Sequence, residues 1–233
     1  MTVIITGVSR GLGEALVQTF LAEGHQVMGI GRNCEITAPG FSFIRLDLSD
    51  WRQVEDFTFP PFPLGEVLLI NNAGILGEIR RTSALDQDIS GEVMQVNVVA
   101  PIQLTRKVAR ICGDSIPFTL VNISSGAGQR PIPSWAAYCA SKAALNLFSE
   151  TFYLEERELG RTTKVYAVSP GVIDTNMQQH IRTAPAEEFS SSDNFRNLKE
   201  NGELESPSRI SGKLLKLLDK DFDGKVLQSL RDF

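Results

Sequence analysis

Thr2-Val3-Ile4-Ile5-Thr6-Gly7-Val8-Ser9-Arg10-Gly11-Leu12-Gly13 stands almost at the start of the chain. Thr2 to Thr6 is a short, β-branched apolar run, the pattern of a buried strand. The glycine-rich turn leads into a helical pattern through Leu16, Phe20 and Leu21 that stops at Gly24. Strand, glycine turn and helix make the first half of a mononucleotide-binding unit. There the glycines let backbone approach a pyrophosphate, and the helix N-terminus offers it unpaired N–H groups. The spacing is G-x-x-x-G-x-G, not the general G-x-G-x-x-G fingerprint, and its place directly after a strand is what gives it weight. The turn as a whole (Gly7, Ser9, Arg10, Gly11, Leu12 and Gly13) is a candidate dinucleotide site.

Gln26 to Ile30 reads as a second strand ending in Gly31-Arg32-Asn33. An acidic residue about 20 residues past the turn would bond an NAD ribose, and Arg32 stands there instead. Arg32 and Arg10 suit a ribose 2′-phosphate, because guanidinium groups bind phosphate oxygens in bidentate fashion. NADPH is therefore expected over NADH. Arg32 to Phe41 is too short for a crossover helix. A third strand follows, Phe41 to Leu46, with Asn33, Asp47 and Leu48 placed to flank the adenosine. Val67 to Ile70 is an uninterrupted apolar run of the kind buried on both faces. It delivers Asn71-Asn72-Ala73-Gly74 to the carboxyl edge, where open α/β sheets bind ligands.

Asp88 to about Cys112 reads as a long helix with Asn97 embedded among Val93, Met94, Val96, Val98 and Val99. A buried amide must be hydrogen-bonded, and either capping a neighbouring backbone or holding a catalytic water would satisfy it. Phe118 to Ile123 is a fifth strand that delivers Ser124 and Ser125. Lys164 to Val168 is a sixth, followed by Ser169-Pro170-Gly171-Val172-Ile173-Asp174-Thr175. The segment from Met177 to Ser206 is polar and shows no core pattern, so a mobile lid is expected there. A helix from about Pro207 to Leu218 and a strand near Lys225 to Gln228 complete one α/β domain.

Between the fifth and sixth strands lies Tyr138-Cys139-Ala140-Ser141-Lys142. On a helix running from about Trp135 to Leu159, Tyr138 and Lys142 share a face at i and i+4. A nearby ammonium favours the phenolate and is expected to lower the tyrosine pKa toward neutrality, giving a usable proton donor. Ser125, about thirteen residues upstream, could hold a carbonyl oxygen in front of it. Trp135 would face the same cleft, with Leu76, Ile79 and Met177 as apolar neighbours.

With 233 residues, 42% hydrophobic, 22% charged and a net charge of −5, the chain suits a single large domain with a substantial core. Mild acidity and the lack of a basic cluster argue against nucleic-acid binding. No apolar run approaches membrane-spanning length, and no signal-peptide pattern opens the chain. Cys34, Cys112 and Cys139 lack metal spacing and fit free thiols in a reducing cytoplasm, so no metal site is expected.

Taken together, Thr6-Gly7-x-x-x-Gly11-x-Gly13, Asn71-Asn72-Ala73-Gly74, Asn97, Ser125, Tyr138-x-x-x-Lys142 and Pro170-Gly171 resemble the short-chain dehydrogenase/reductase family from end to end. The resemblance implies a three-layer Rossmann-like, doubly wound parallel sheet, and an Asn97–Ser125–Tyr138–Lys142 tetrad. It also implies a nicotinamide cofactor touching Asn72, Ala73, Gly74, Tyr138, Lys142, Pro170, Gly171, Ile173 and Thr175. Within the family, the loop from Gly171 to Gln179 and the C-terminal third look like sepiapterin reductases and benzil-reductase-like members. Those pterin reductases carry an aspartate where Gln228 aligns, which points away from a pterin and toward a broader range of vicinal dicarbonyls. The expected function is NADPH-dependent reduction of a small carbonyl substrate, by a homodimer or homotetramer. A catalytically silent NADP-binding regulator and an NAD-dependent alcohol dehydrogenase are the alternative readings.

Overall fold

The computed structural model describes residues 1–63, 65–85 and 90–233. The first half runs β1 (Thr2–Thr6), α1 (Gly11–Ala22), β2 (Gln26–Gly31), β3 (Phe41–Arg45), α2 (Trp51–Asp56) and β4 (Val67–Asn71). Next come α3 (Ser90–Met94), a π-helical step (Gln95–Val99), α4 (Ala100–Cys112), β5 (Phe118–Ile123) and α5 (Ala136–Glu158). The chain closes with β6 (Lys164–Ser169), α6 (Asn176–Thr183), α7 (Ser192–Glu200), α8 (Pro207–Leu218) and β7 (Leu227–Ser229).

All seven strands pair in parallel in the order β3-β2-β1-β4-β5-β6-β7. The winding reverses between β1 and β4, and the crevice at such a switch point is where an open α/β sheet takes its ligand. β1, β4 and β5 are buried at every position, as helices covering both faces require. The period of two sorts their side chains into separate cores. Ile4, Leu69 and Leu120 face the layer with Leu104, Val108 and Phe152. Val3, Ile5, Ile70 and Val121 face Leu16, Phe20 and Leu214 of α1 and α8. This is the expected single-domain, three-layer sheet.

Most element boundaries agree with the sequence to within a residue or two. The long helix expected from Asp88 is described from Ser90, Asp88 itself lying outside the described residues. α2 was not anticipated. It is short, and its start is fixed by the Asp50 carboxylate, which accepts from the N–H groups of Arg52 and Gln53. The stretch 177–206, expected as a mobile lid, carries two helices that the sequence reading did not place, α6 and α7. Ile181, Ala184 and Phe189 from this stretch bury themselves in a third cluster with Leu76, Ile79, Ala127, Trp135 and Tyr138. Among the described residues no helix is long and apolar enough to cross a membrane. Cys34, Cys112 and Cys139 are free thiols.

Candidate active site

The glycine turn is lashed to β4 by Asn72. Its amide donates to the carbonyls of Thr6 at 2.9 Å and Gly7 at 3.1 Å. In return the Thr6 hydroxyl accepts from the N–H groups of Asn72 and Ala73, at 3.0 and 2.9 Å. Gly7 sits at φ +72, and a Cβ there would lie 2.9 Å from Ala73 Cα. A Cβ on Gly13 would meet the Gly7 carbonyl oxygen at 2.0 Å, so this glycine serves the close packing of helix on turn. No side chain caps the N-terminus of α1. Its first N–H groups are left for an anion. Thr175, capping α6 through Gln178 N–H, packs beside Gly11 and brings the segment after Pro170 and Gly171 against the turn.

At the outer side of this crevice, Arg32, Arg45, Asp47 and Gln53 line a surface cavity of about 250 Å³. Parallel register sets Gly31 beside Arg45, which places the two guanidinium-bearing residues at adjacent strand ends. Asp47 stays acidic: burial works to raise its pKa, but hydrogen bonds from Ser49 and the charge of Arg32 outweigh it and lower it. Arg45 and Gln53 were missed in the sequence, while Arg10 is exposed at the head of α1 and does not line this cavity. Leu48 is buried, with its carbonyl accepting from the Gln95 amide at 3.2 Å.

Tyr138 and Lys142 lie one turn apart on α5, both buried, and Trp135 occupies the position just before the helix. The Ser125 hydroxyl faces the Tyr138 phenol closely enough to act on its acidity and accepts from Ala127 N–H at 3.1 Å. Ser124 is committed elsewhere, donating to Asn146 Oδ1, so Ser125 is the serine facing the tyrosine. The expected lowering of the phenol pKa is not what this arrangement produces. Burial pushes it above the ordinary tyrosine value, and the nearby Ser125 hydroxyl offsets only part of the rise. Lys142 Nζ instead donates to the Ile123 carbonyl at 2.8 Å, and burial brings its ammonium down to about 8.

Asn97 is wholly buried in the π-helical step. Its carbonyl accepts from Ile75 N–H, and its amide donates to Ile75 O, each at 2.8 Å. The remaining amide hydrogen goes to Ser141 Oγ at 3.0 Å. These are the contacts of the backbone-capping role. Gly74 lies against both Asn97 Oδ1 and Lys142 Nζ, so the loop after β4, the π-helical step and α5 converge at the lysine.

Trp135, Leu76, Ile79 and Met177 gather with Tyr138 in the third apolar cluster. Phe189 stacks on Trp135 at 5.3 Å and 11°, and Phe195 lies 5.4 Å away. Neither phenylalanine was anticipated, although they are the only aromatic residues in the polar stretch 177–206. Gln228 has turned its amide onto the Lys225 carbonyl at 2.8 Å.

A parallel doubly wound sheet with a Ser–Tyr–Lys group at its carboxyl edge is the build of a nicotinamide-dependent oxidoreductase. The short chain dehydrogenase family model matches residues 1–186, and the chain belongs to that family. It is 34% identical to benzil reductase ((S)-benzoin forming) of Bacillus subtilis, over 99% of this chain and 98% of the relative. It is 32% identical to sepiapterin reductase of Bos taurus, over 94% of this chain and 89% of the relative. A short chain dehydrogenase/reductase of Saccharomyces cerevisiae superposes with a TM-score of 0.83 at 26% identity, covering 99% of this chain and 96% of that one.

Proposed function

We propose that this protein is an NADPH-dependent carbonyl reductase acting on ketones and vicinal dicarbonyls. The observation that carries the reading is the buried Tyr138 phenol, faced by the Ser125 hydroxyl and sharing a cavity wall with Trp135 and Leu76. A phenol pushed up in pKa stays protonated at neutral pH, which is the state a general acid needs for reduction. Ser125 and Tyr138 hold the carbonyl oxygen, and Tyr138 donates its proton as negative charge develops there. Lys142 places a buried ammonium behind the tyrosine, where it stabilises the phenolate left by that transfer. Asn97 fixes the loop at Ile75 and, through Ser141, the second turn of α5.

The chain fits a nicotinamide dinucleotide: an uncapped α1, a turn that admits only glycine at two places, and a two-arginine cavity suited to a ribose phosphate. Gly7, Ser9, Gly11, Leu12 and Gly13 would face the pyrophosphate, and Arg32 and Arg45 the 2′-phosphate. Asp47 and Leu48 would flank the adenosine, while Lys142 and the segment Pro170 to Thr175 would hold the nicotinamide end. The bound cofactor would supply the hydride; the protein supplies position, proton and electrostatics.

The names of the bacterial and mammalian relatives, a benzil reductase and a sepiapterin reductase, support a carbonyl substrate flanked by further oxygen or ring. Gln228 does not favour a pterin, since an amide cannot supply the charge of the aspartate that aligns there. The test is NADPH and NADH consumption with benzil, sepiapterin and a simple monoketone side by side. Rapid NADPH-linked benzil reduction is expected. Equal efficiencies with the two cofactors would reject the NADP assignment, and no turnover of any substrate would reject the activity.

A further inference from the structure

Among the described residues, Trp135 carries a donor that nothing accepts. Its indole N–H is buried without a hydrogen-bond partner, in a residue only 6% exposed. Such a group costs free energy, and buried tryptophans usually find an acceptor. Every other part of the side chain is well used. Phe189 covers a ring face at 5.3 Å and 11°. Tyr138 meets the indole edge-on, at 5.6 Å and 85°. An N–H lies in its ring plane, so a ring stacked on the face does not satisfy it. The residue before it is held in place at some cost: Ser134 has φ +70, uncommon for a side chain other than glycine, and donates to the Glu188 carbonyl at 2.6 Å.

Trp135 and Tyr138 also line one small cavity, together with Leu76 and Val93. Trp135, whose buried indole N–H has no partner among the described residues, therefore stands in the same wall as the phenol O–H that would hold one substrate oxygen. We propose that the Trp135 N–H receives the second oxygen of a vicinal dicarbonyl, making Trp135 the residue that selects such substrates over monoketones. The inference rests on the carbonyl-reductase reading and names its substrate class. Two oxygens on adjacent carbons need two neighbouring sets of donors. Ser125 and Tyr138 serve the oxygen that is reduced, and Trp135 serves the one that is not. A site built to hydrogen-bond an oxygen disfavours the analogue lacking it, because the donor is left buried and unpaired.

The test uses benzil and deoxybenzoin, which share both phenyl rings and differ by one carbonyl oxygen. The ratio of their kcat/KM values is measured with NADPH for the wild type and for Trp135→Phe, which keeps an aromatic ring and removes the N–H. Intrinsic carbonyl reactivity is the same for both enzymes, so it cancels in the comparison. A fall of about tenfold in the benzil-to-deoxybenzoin ratio is expected. An unchanged ratio overturns the inference while leaving the carbonyl-reductase reading intact. A wild type that reduces neither ketone overturns that reading and this inference with it. A second measurement needs no variant of Trp135. In the unreactive complex with NADP⁺, benzil should move the indole N–H proton resonance of Trp135 downfield and deoxybenzoin should not. The other tryptophan, Trp51, is 55% exposed and serves as internal reference. Equal responses to the two ketones, or none, overturn the inference.

Discussion

Lys142 Nζ donates to the Ile123 carbonyl at 2.8 Å, while the centre of the Tyr138 ring lies 5.8 Å away. The lysine is thus held by β5 more closely than by the tyrosine it serves. Burial lowers its pKa from 10.5 to about 8 in the folded chain. The unfolded chain therefore holds more protons between those values, and stability rises with pH across that window. Below about 8 the folded protein carries a buried ammonium at a desolvation cost, which Lys142→Met removes. The stability advantage of Lys142→Met over wild type is expected to shrink by on the order of 2 kcal/mol between about pH 7 and pH 10. Urea denaturation of both proteins at the two pH values checks this. A constant difference would mean that the lysine is not desolvated as its surroundings imply.

Tyr138→Phe removes the proton donor and leaves the ring that packs against Trp135. Turnover of benzil is expected to fall by at least about a hundredfold, the usual scale of a positioned general acid. NADPH affinity, measured by fluorescence titration, should change little. A variant that keeps most of its activity would remove Tyr138 from the mechanism. The raised phenol pKa adds a direction: the acid stays loaded above neutral pH, so alcohol oxidation, which needs the phenolate, should speed up as pH rises.

Arg32 and Arg45 face one cavity at adjoining strand ends. Each charge-assisted bond to a phosphate is worth about 1.5–3 kcal/mol. Arg32→Ala and Arg45→Ala should each raise the KM for NADPH by roughly tenfold to a hundredfold, with a much smaller effect on NADH. Arg10→Ala should do less, since Arg10 does not line the cavity. Parallel loss with both cofactors would place the 2′-phosphate elsewhere.

The contrast between Arg10 and Arg45 shows what the sequence could carry. The strands were legible because β1, β4 and β5 are mostly apolar, as burial at every position requires. Ser125, Tyr138 and Lys142 were legible because their spacing is local to one strand end and one helix. Arg45 was not, because its place beside Arg32 depends on the register of β3 against β2. The helices α6 and α7 were hidden for a different reason. Their apolar residues are few, Ile181 and Phe195 among them, and they pack on the site cluster rather than on the main core. The direction of the tyrosine pKa depends on depth of burial and on where the lysine amine points, neither of which spacing records.

Ser134 and Glu188 join the entrance of α5 to the segment between α6 and α7, and the join can be dissected with two substitutions. The Ser134 hydroxyl donates to the Glu188 carbonyl at 2.6 Å, and the Glu188 carboxylate pairs with Arg80 at 3.6 Å. Ser134 also sits at φ +70, a conformation that glycine adopts without strain. Ser134→Ala loses the hydrogen bond and keeps the strain, and should destabilise the protein by about 1–2 kcal/mol. Ser134→Gly loses the same bond but relieves the strain, and should be more stable than Ser134→Ala by about 1 kcal/mol. Both variants should loosen Phe189 from Trp135, so that limited proteolysis between α6 and α7 becomes faster than in the wild type. Thermal melts order the three proteins. An alanine variant at least as stable as the glycine variant would mean that the backbone at Ser134 is not strained. Unchanged proteolysis in both would mean that the hydroxyl does not hold the α6–α7 segment against the site.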